Sequence, residues 1–296
     1  MKKKETVQET ITREIVEALE KGVRPWAKPW HCRAGSGSFP IRFNGEQYRG
    51  INILALWASQ LKNGFSSNQW LTGHQANELG GNIVRGEKPT TVCFFKPLTF
   101  DKGTEDEKTI PLARAFRVFN VDQLENLPDR FYPEEEETEP TNMDTKEYPH
   151  IQEFFDNLPV HHVDHKGSRA CYAPDLDLIK MPEVKDFKSN AHYFTTLGHE
   201  TIHWTGHKGR LDRDLSGSFG NQKYGKEELI AELGAAFLAA QWGISSHTKE
   251  ESESYLASWI QTMKKEPKFL FQAASAAQKA VTFLNDKQPK DERMAA

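Results

Sequence analysis

Two histidines four residues apart, with a glutamate beside the first, stand at His199-Glu200-Thr201-Ile202-His203. On a helix, residues four apart share a face, so both imidazoles could aim at one metal ion. Glu200 would then sit where its carboxylate can take a proton from water activated by that ion. Catalytic zinc takes three protein ligands plus a water, so this pair requires a third donor elsewhere. His207 continues the row, but Gly206 predicts the end of the helix just before it. The position ten residues after the first histidine is Gly209, which offers no ligand.

The better source is Glu227-Glu228-Leu229-Ile230-Ala231-Glu232 and the residues after it. Glu228 and Glu232 share one helical face with Ala231, Ala235 and Ala239, whose small side chains let a neighbouring helix come close. Leu229, Leu233, Phe237 and Leu238 supply the opposite, inward face. Glu228 is therefore expected as the third ligand, with Glu232 hydrogen-bonding a ligating histidine. A register one step off makes Glu232 or Glu227 the ligand instead. The chemistry such a site offers is peptide-bond hydrolysis. The ion acidifies water towards a pKa of ~7 and polarises a carbonyl, while Glu200 carries the proton to the leaving amine. Tyr172, Tyr224 and His207 are candidates for stabilising the oxyanion. A strand at 176–181 could offer an edge on which an extended peptide pairs.

These residues need elements to hold them. A helix at 189–205, closed by Gly206, carries the histidine pair, and a loop rich in Gly, Ser, Asp and Asn leads to a helix at 226–242. A helix near 149–158 and strands at 169–172 and 176–181 precede them, and helices at 251–264 and 267–285 follow. Nearer the N-terminus, Val7, Ile11, Ile15, Val16 and Leu19 predict an amphipathic helix over 5–22 ended by Gly22. Further helices are expected at 50–62, closing at Gly64, and from Thr72 to the Gly80-Gly81 pair. Strands are expected at 90–95 and 113–121. Residues 134–137 are all glutamate, in a stretch too polar to fold alone. The expected fold class is α+β in two domains, 1–128 and 149–296, joined by an acidic linker at 129–148.

Charge is unevenly spread over the 296 residues, whose net charge is −4. The first hundred carry 14 Lys/Arg against 8 Asp/Glu, whereas 101–150 carry 6 against 14. A basic N-terminal part in an acidic chain points to a polyanionic partner for that part. Arg24, Trp26, Lys28, Trp30, Arg42, Tyr48 and Arg49 mix cations with rings on which unpaired bases stack, so they are candidate contacts for single-stranded DNA. The competing reading is that the rings are core residues, and for Trp57, inside an apolar helix, that reading prevails. No apolar run approaches the ~20 residues needed to span a bilayer, and the N-terminus shows no signal-peptide core. Three scattered cysteines give no disulfide framework. A cytoplasmic protein with no membrane partner is expected.

From residue 15 to 128, and again from 170 to 284, the chain resembles the plasmid-encoded antirestriction proteins of the ArdC type. The resemblance rests on V-R-P-W-A-K-P-W at 23–30, Y-R-G-I-N-I-L at 48–54 and G-G-N-I-V-R-G-E-K at 80–88. Phe119, Val121 and Gln123 add to it, as do the His199–His207 stretch, R-L-D-R-D-L-S at 210–216 and the helix at 227–237. It implies a single-stranded-DNA-binding domain followed by a zincin-type metallopeptidase domain, similar to proteases that clear DNA-bound proteins. It also implies protection from restriction for a plasmid entering a new cell as a single strand. Zinc, or another divalent ion such as manganese, is the implied cofactor. A protein substrate or a restriction enzyme is the implied second partner.

Overall fold

The computed structural model describes residues 5–27, 39–100, 108–132, 147–165, 167–217, 221–246 and 250–289. The chain divides into two compact units. One comprises Met1–Pro25, His31–Glu136 and Met263–Phe271, and the other Trp26–Trp30, Glu137–Thr262 and Gln272–Ala296. Residues 133–146 of the expected linker, including the glutamate run, lie outside the described residues.

The first unit runs α1 (Val7–Glu20), β1 (Ile41–Arg42), α2 (Ile51–Asn63), β2 (Gln69–Leu71), α3 (Gly73–Glu78), β3 (Asn82–Ile83), β4 (Thr90–Phe100), β5 (Lys108–Asn120) and β6 (Leu124–Glu125). α1 starts at a capping box in which the Thr6 hydroxyl accepts the Glu9 amide and the Glu9 carboxylate accepts the Thr6 amide. Its buried stripe, Ile11, Ile15, Val16 and Leu19, packs against α2 and β4. The main sheet has the order β1-β2-β5-β4, with β1 parallel to β2 and the other pairs antiparallel. β3 and β6 form a separate two-stranded ladder. Asn52 of α2, only 6% exposed, pairs with the backbone of edge strand β4. Its amide donates to Cys93 O at 2.8 Å, and its carbonyl accepts from Cys93 N at 2.7 Å. Leu71, Phe119, Val121, Leu124, Leu127 and Phe131 form a core beside α3.

The second unit contains α4 (Pro149–Asp156), β7 (His161–His165), β8 (Cys171–Ala173), β9 (Leu178–Pro182), α5 (Asn190–Thr205) and α6 (Gln222–Trp242), followed by α7 (Glu250–Lys265) and α8 (Lys268–Asn285) except for Met263–Phe271, which belongs to the first unit. Phe155 stacks on Phe194 at 6.1 Å and meets Trp242 at 5.4 Å, which ties α4 to α5 and α6. The sheet order is β7-β9-β8, with β7 parallel and β8 antiparallel to β9. This corrects the expectation for 176–181. β9 is the central strand, and the edges are β7 and β8. The reason is β7, whose H-H-V-D-H sequence lacks apolar alternation but supplies β9 with a second partner. Among the described residues, no helix is long and apolar enough to cross a membrane.

Candidate metal centre

α5 and α6 together build the site. The Ser189 hydroxyl caps α5 by accepting the His192 amide at 3.1 Å, and Gly206 stands at its C-cap. α6 begins at Gln222, ahead of the expected 226, because the Asn221 side chain accepts the Tyr224 amide at 2.8 Å. The two helices approach where Gly234 faces Ile202. A Cβ on Gly234 would lie 2.7 Å from both Cδ1 and Cγ1 of Ile202. Ala231, Ala235 and Ala239 are all buried, and the missing side chain of Gly234 permits the tightest contact.

That approach brings His199, His203 and Glu228 to one point. His199 Nε2 and His203 Nε2 lie 3.2 Å apart. Glu228 Oε2 is 3.4 Å from His199 Nε2, and Glu228 Oε1 is 3.4 Å from His203 Nε2. Ligands bound tetrahedrally at about 2.0–2.1 Å from zinc stand roughly 3.3–3.4 Å from one another. Two imidazoles and a carboxylate are a donor set that divalent ions accept, and these atoms lie within 4.8 Å of one another. Glu228 Oε2 is buried and accepts no well-formed hydrogen bond, as a donor atom reserved for an ion would be. His207 does not join them. It lies beyond the helix end, and its Nδ1 accepts the Gly209 amide at 3.1 Å.

Behind the three donors stands a second set of contacts. Glu227 Oε1 lies 3.2 Å from His203 Nδ1, and Glu232 Oε2 lies 3.9 Å from His199 Nδ1. Arg213 donates to both oxygens of Glu227, to Ile202 O at 2.6 Å and to Thr205 Oγ1 at 2.8 Å. Burial disfavours charge on His203, but the Glu227 and Glu228 carboxylates outweigh it and hold the ring's pKa up at about 10. Burial likewise pushes the Glu228 carboxyl up, and His199 and His203 overcome this and hold it well below the usual range. The pocket therefore favours a positive charge at its centre.

Glu200 is 1% exposed, and its Oε2 accepts the amide of Tyr172, on edge strand β8, at 2.7 Å. The Tyr172 hydroxyl donates to Asp177 Oδ1 at 2.7 Å and accepts from Arg210 Nη2 at 3.1 Å. That hydroxyl is held within a side-chain network, and burial together with Asp177 pushes its pKa up. Arg210 also pairs with Asp177, donates to Trp204 O at 2.6 Å and lies over the Trp204 ring. A cleft of about 190 Å³ opens over the site, lined by Glu200, His203 and Glu228 together with Arg169, Asp214 and Tyr224.

Comparison with known proteins follows the same division. Residues 5–119 match the N-terminal domain of anti-restriction factor ArdC, and 149–276 match a zincin-like metallopeptidase domain. Two crystal structures of the antirestriction ArdC protein from the R388 plasmid, one metal-free and one Mn(II)-bound, superpose with a TM-score of 0.80. Identity is 37% and 36%, over 95% and 96% of this chain and 97% and 98% of theirs. The chain belongs to the ArdC antirestriction family. An uncharacterised protein of Sinorhizobium fredii, y4eC, is 31% identical over 97% of this chain and 94% of its own length. Two DNA primases TraC of Escherichia coli are 33% and 32% identical, but the chain spans only 20% and 27% of their length.

The DNA-contact candidates are distributed differently. Lys28 and Trp30 lie outside the described residues. Trp26 is fully buried and Tyr48 only 4% exposed, so neither offers a free ring face. Arg24 is half-buried and Arg49 exposed. Arg42 lies over the rings of Tyr48 and Phe94, 5.5 and 5.1 Å from their centroids. The sequence reading passed over Phe94, Arg114 and Phe116, although residues two apart in an expected strand, as Arg114 and Phe116 are, share a face. It also gave no role to Arg210 and Arg213, present in R-L-D-R-D-L-S. Their partners are remote in sequence, and only the motif itself singled them out.

Proposed function

We propose that this chain is an antirestriction protein whose first domain, 1–128, binds single-stranded DNA and whose second, 149–296, is a zinc-dependent peptidase of the gluzincin kind. The observation that carries this reading is the triangle of donor atoms on His199, His203 and Glu228, with sides of 3.2, 3.4 and 3.4 Å. A zinc ion there would acidify water and polarise a peptide carbonyl; manganese is the alternative, since a related ArdC structure is Mn(II)-bound. Glu200, nearly excluded from solvent, would be the group to take a proton from water and pass it to the leaving amine. Glu227 orients the His203 imidazole through its 3.2 Å contact with Nδ1, whereas Glu232, 3.9 Å from His199 Nδ1, supplies charge without a hydrogen bond. The β8 edge beside Glu200 lets an extended peptide add as a strand. The substrate is a protein that meets the incoming strand, a restriction enzyme among the possibilities, and the setting is the recipient's cytoplasm during conjugation.

The test is Glu200→Gln, which keeps the shape of the site and removes the base. Plasmid establishment in a restricting recipient should fall to the level of a strain lacking the protein, while metal content stays at wild type. Full protection by this variant would remove hydrolysis from the account. A second reading would then stand, in which the chain coats single strands and the metal is structural. The bond from the Tyr172 amide to Glu200 favours it, because that bond ties one of the two carboxylate oxygens to the sheet.

A further inference from the structure

One face of the β4–β5 pair combines an exposed ring and a half-buried one with cations. In the antiparallel register Phe94 stands opposite Arg114, Lys96 opposite Leu112, and Val92 opposite Phe116. Side chains two apart share a face, so Phe94, Lys96, Arg114 and Phe116 project to the same side. Phe116 is 44% exposed, and Arg114 and Lys96 are exposed as well. The Phe94 and Phe116 rings meet edge to face at 5.2 Å. Arg42 extends the group from β1, lying over Phe94 while paired with Glu46. Among the described residues, Arg114 and Lys96 take part in no ion pair.

Patches that recognise proteins tend to lose charge at their centre, whereas this one interleaves it with rings. Rings flat on a sheet stack on unpaired bases, and cations beside them follow the phosphates. We propose that single-stranded DNA lies across this face, with a base on Phe116 and phosphates on Arg114 and Lys96. The proposal rests on the reading of the first domain as a single-strand binder, and moves its contact surface from the 24–49 segment to the β4–β5 pair.

The experiment uses the full-length chain and a fluorescent oligothymidylate, with binding followed by anisotropy over a salt series. Phe116→Ala should weaken binding by about 5- to 100-fold, and Phe116→Tyr should restore it. Arg114→Ala should weaken binding and flatten the salt dependence by about 0.7 in log–log slope. Arg117, exposed on the opposite face of β5, is the control, and Arg117→Ala should stay within about twofold of wild type. Wild-type binding by the Phe116→Ala and Arg114→Ala chains overturns this surface alone. So does an equal loss in Arg117→Ala, which would make net charge the cause. If the unaltered chain binds no oligothymidylate, the single-strand reading itself falls and this surface falls with it. All three side chains are exposed, so matching melting curves will separate lost contact from lost fold.

Discussion

Arg213 grips Glu227 through two hydrogen bonds, Nη2 to Oε1 at 2.7 Å and Nε to Oε2 at 3.0 Å, while Glu227 faces His203 Nδ1 at 3.2 Å. The guanidinium is itself fixed to the last turn of α5 through Ile202 O and Thr205 Oγ1. An arginine outside the donor triangle thus sets the angle of one imidazole within it. Arg213→Lys keeps the charge but loses the planar fork. Metal affinity should drop by about 10- to 100-fold in competition against a chelator. Unchanged affinity would show that His203 needs no such support.

Gly234→Ala should destabilise the chain although alanine is the better helix former. Helix propensity favours the change by about 1 kcal/mol. Against that, the new methyl would sit 2.7 Å from two carbons of fully buried Ile202. Overpacking of this kind costs about 1–3 kcal/mol, so the net effect is a loss, read as a lower urea midpoint. Pairing it with Ile202→Val should recover part of that loss, because the Cδ1 collision disappears.

Asn52→Leu should cost about 2–5 kcal/mol, because it leaves a buried N–H and a buried C=O of Cys93 without partners. Urea denaturation measures this directly. A loss under 1 kcal/mol would mean that water replaces the carboxamide at the β4 edge.

The Arg210–Asp177 pair gives the fold a pH dependence of known sign. Arg210 holds the Asp177 carboxyl down at about 2, below its ordinary 3.8. Its stabilisation is complete above about pH 4 and disappears as pH falls through 2. Asp177→Asn tolerates the positive φ of 48° at this position and removes the charge. Because Asp177 is 42% exposed, solvent screening keeps the effect on the order of 1 kcal/mol or less at pH 7. The gap from wild type should shrink between pH 4 and pH 3. A gap constant over that range would exclude the ion pair as its source.

Much of the zincin-like half was legible because its signals are local. Ser189, Gly206 and the four-residue spacing of the histidines mark α5, and alanines around two glutamates mark the face of α6 that meets it. What was not legible depends on pairing at a distance. β7 escaped notice because its residues carry no alternation, and its place beside β9 changed which strand forms the edge. Glu227, Glu228 and Glu232 all sit on one helix, and sequence spacing does not reveal which of them faces which imidazole nitrogen. Towards the N-terminus, composition draws attention to tryptophans and cations, but burial is a tertiary property, and Trp26 and Trp70 are fully enclosed.

His199 and His203 come from one helix and Glu228 from the next, with the Arg210–Arg213 loop between them. An ion held by all three would act as a clasp closing that loop. Its binding energy would then become folding energy for the α5–α6 pair, about 2.7 kcal/mol when free ion exceeds its dissociation constant a hundredfold. The melting temperature of this chain should therefore follow the metal content of its surroundings, making its persistence in a cell a readout of divalent-ion supply.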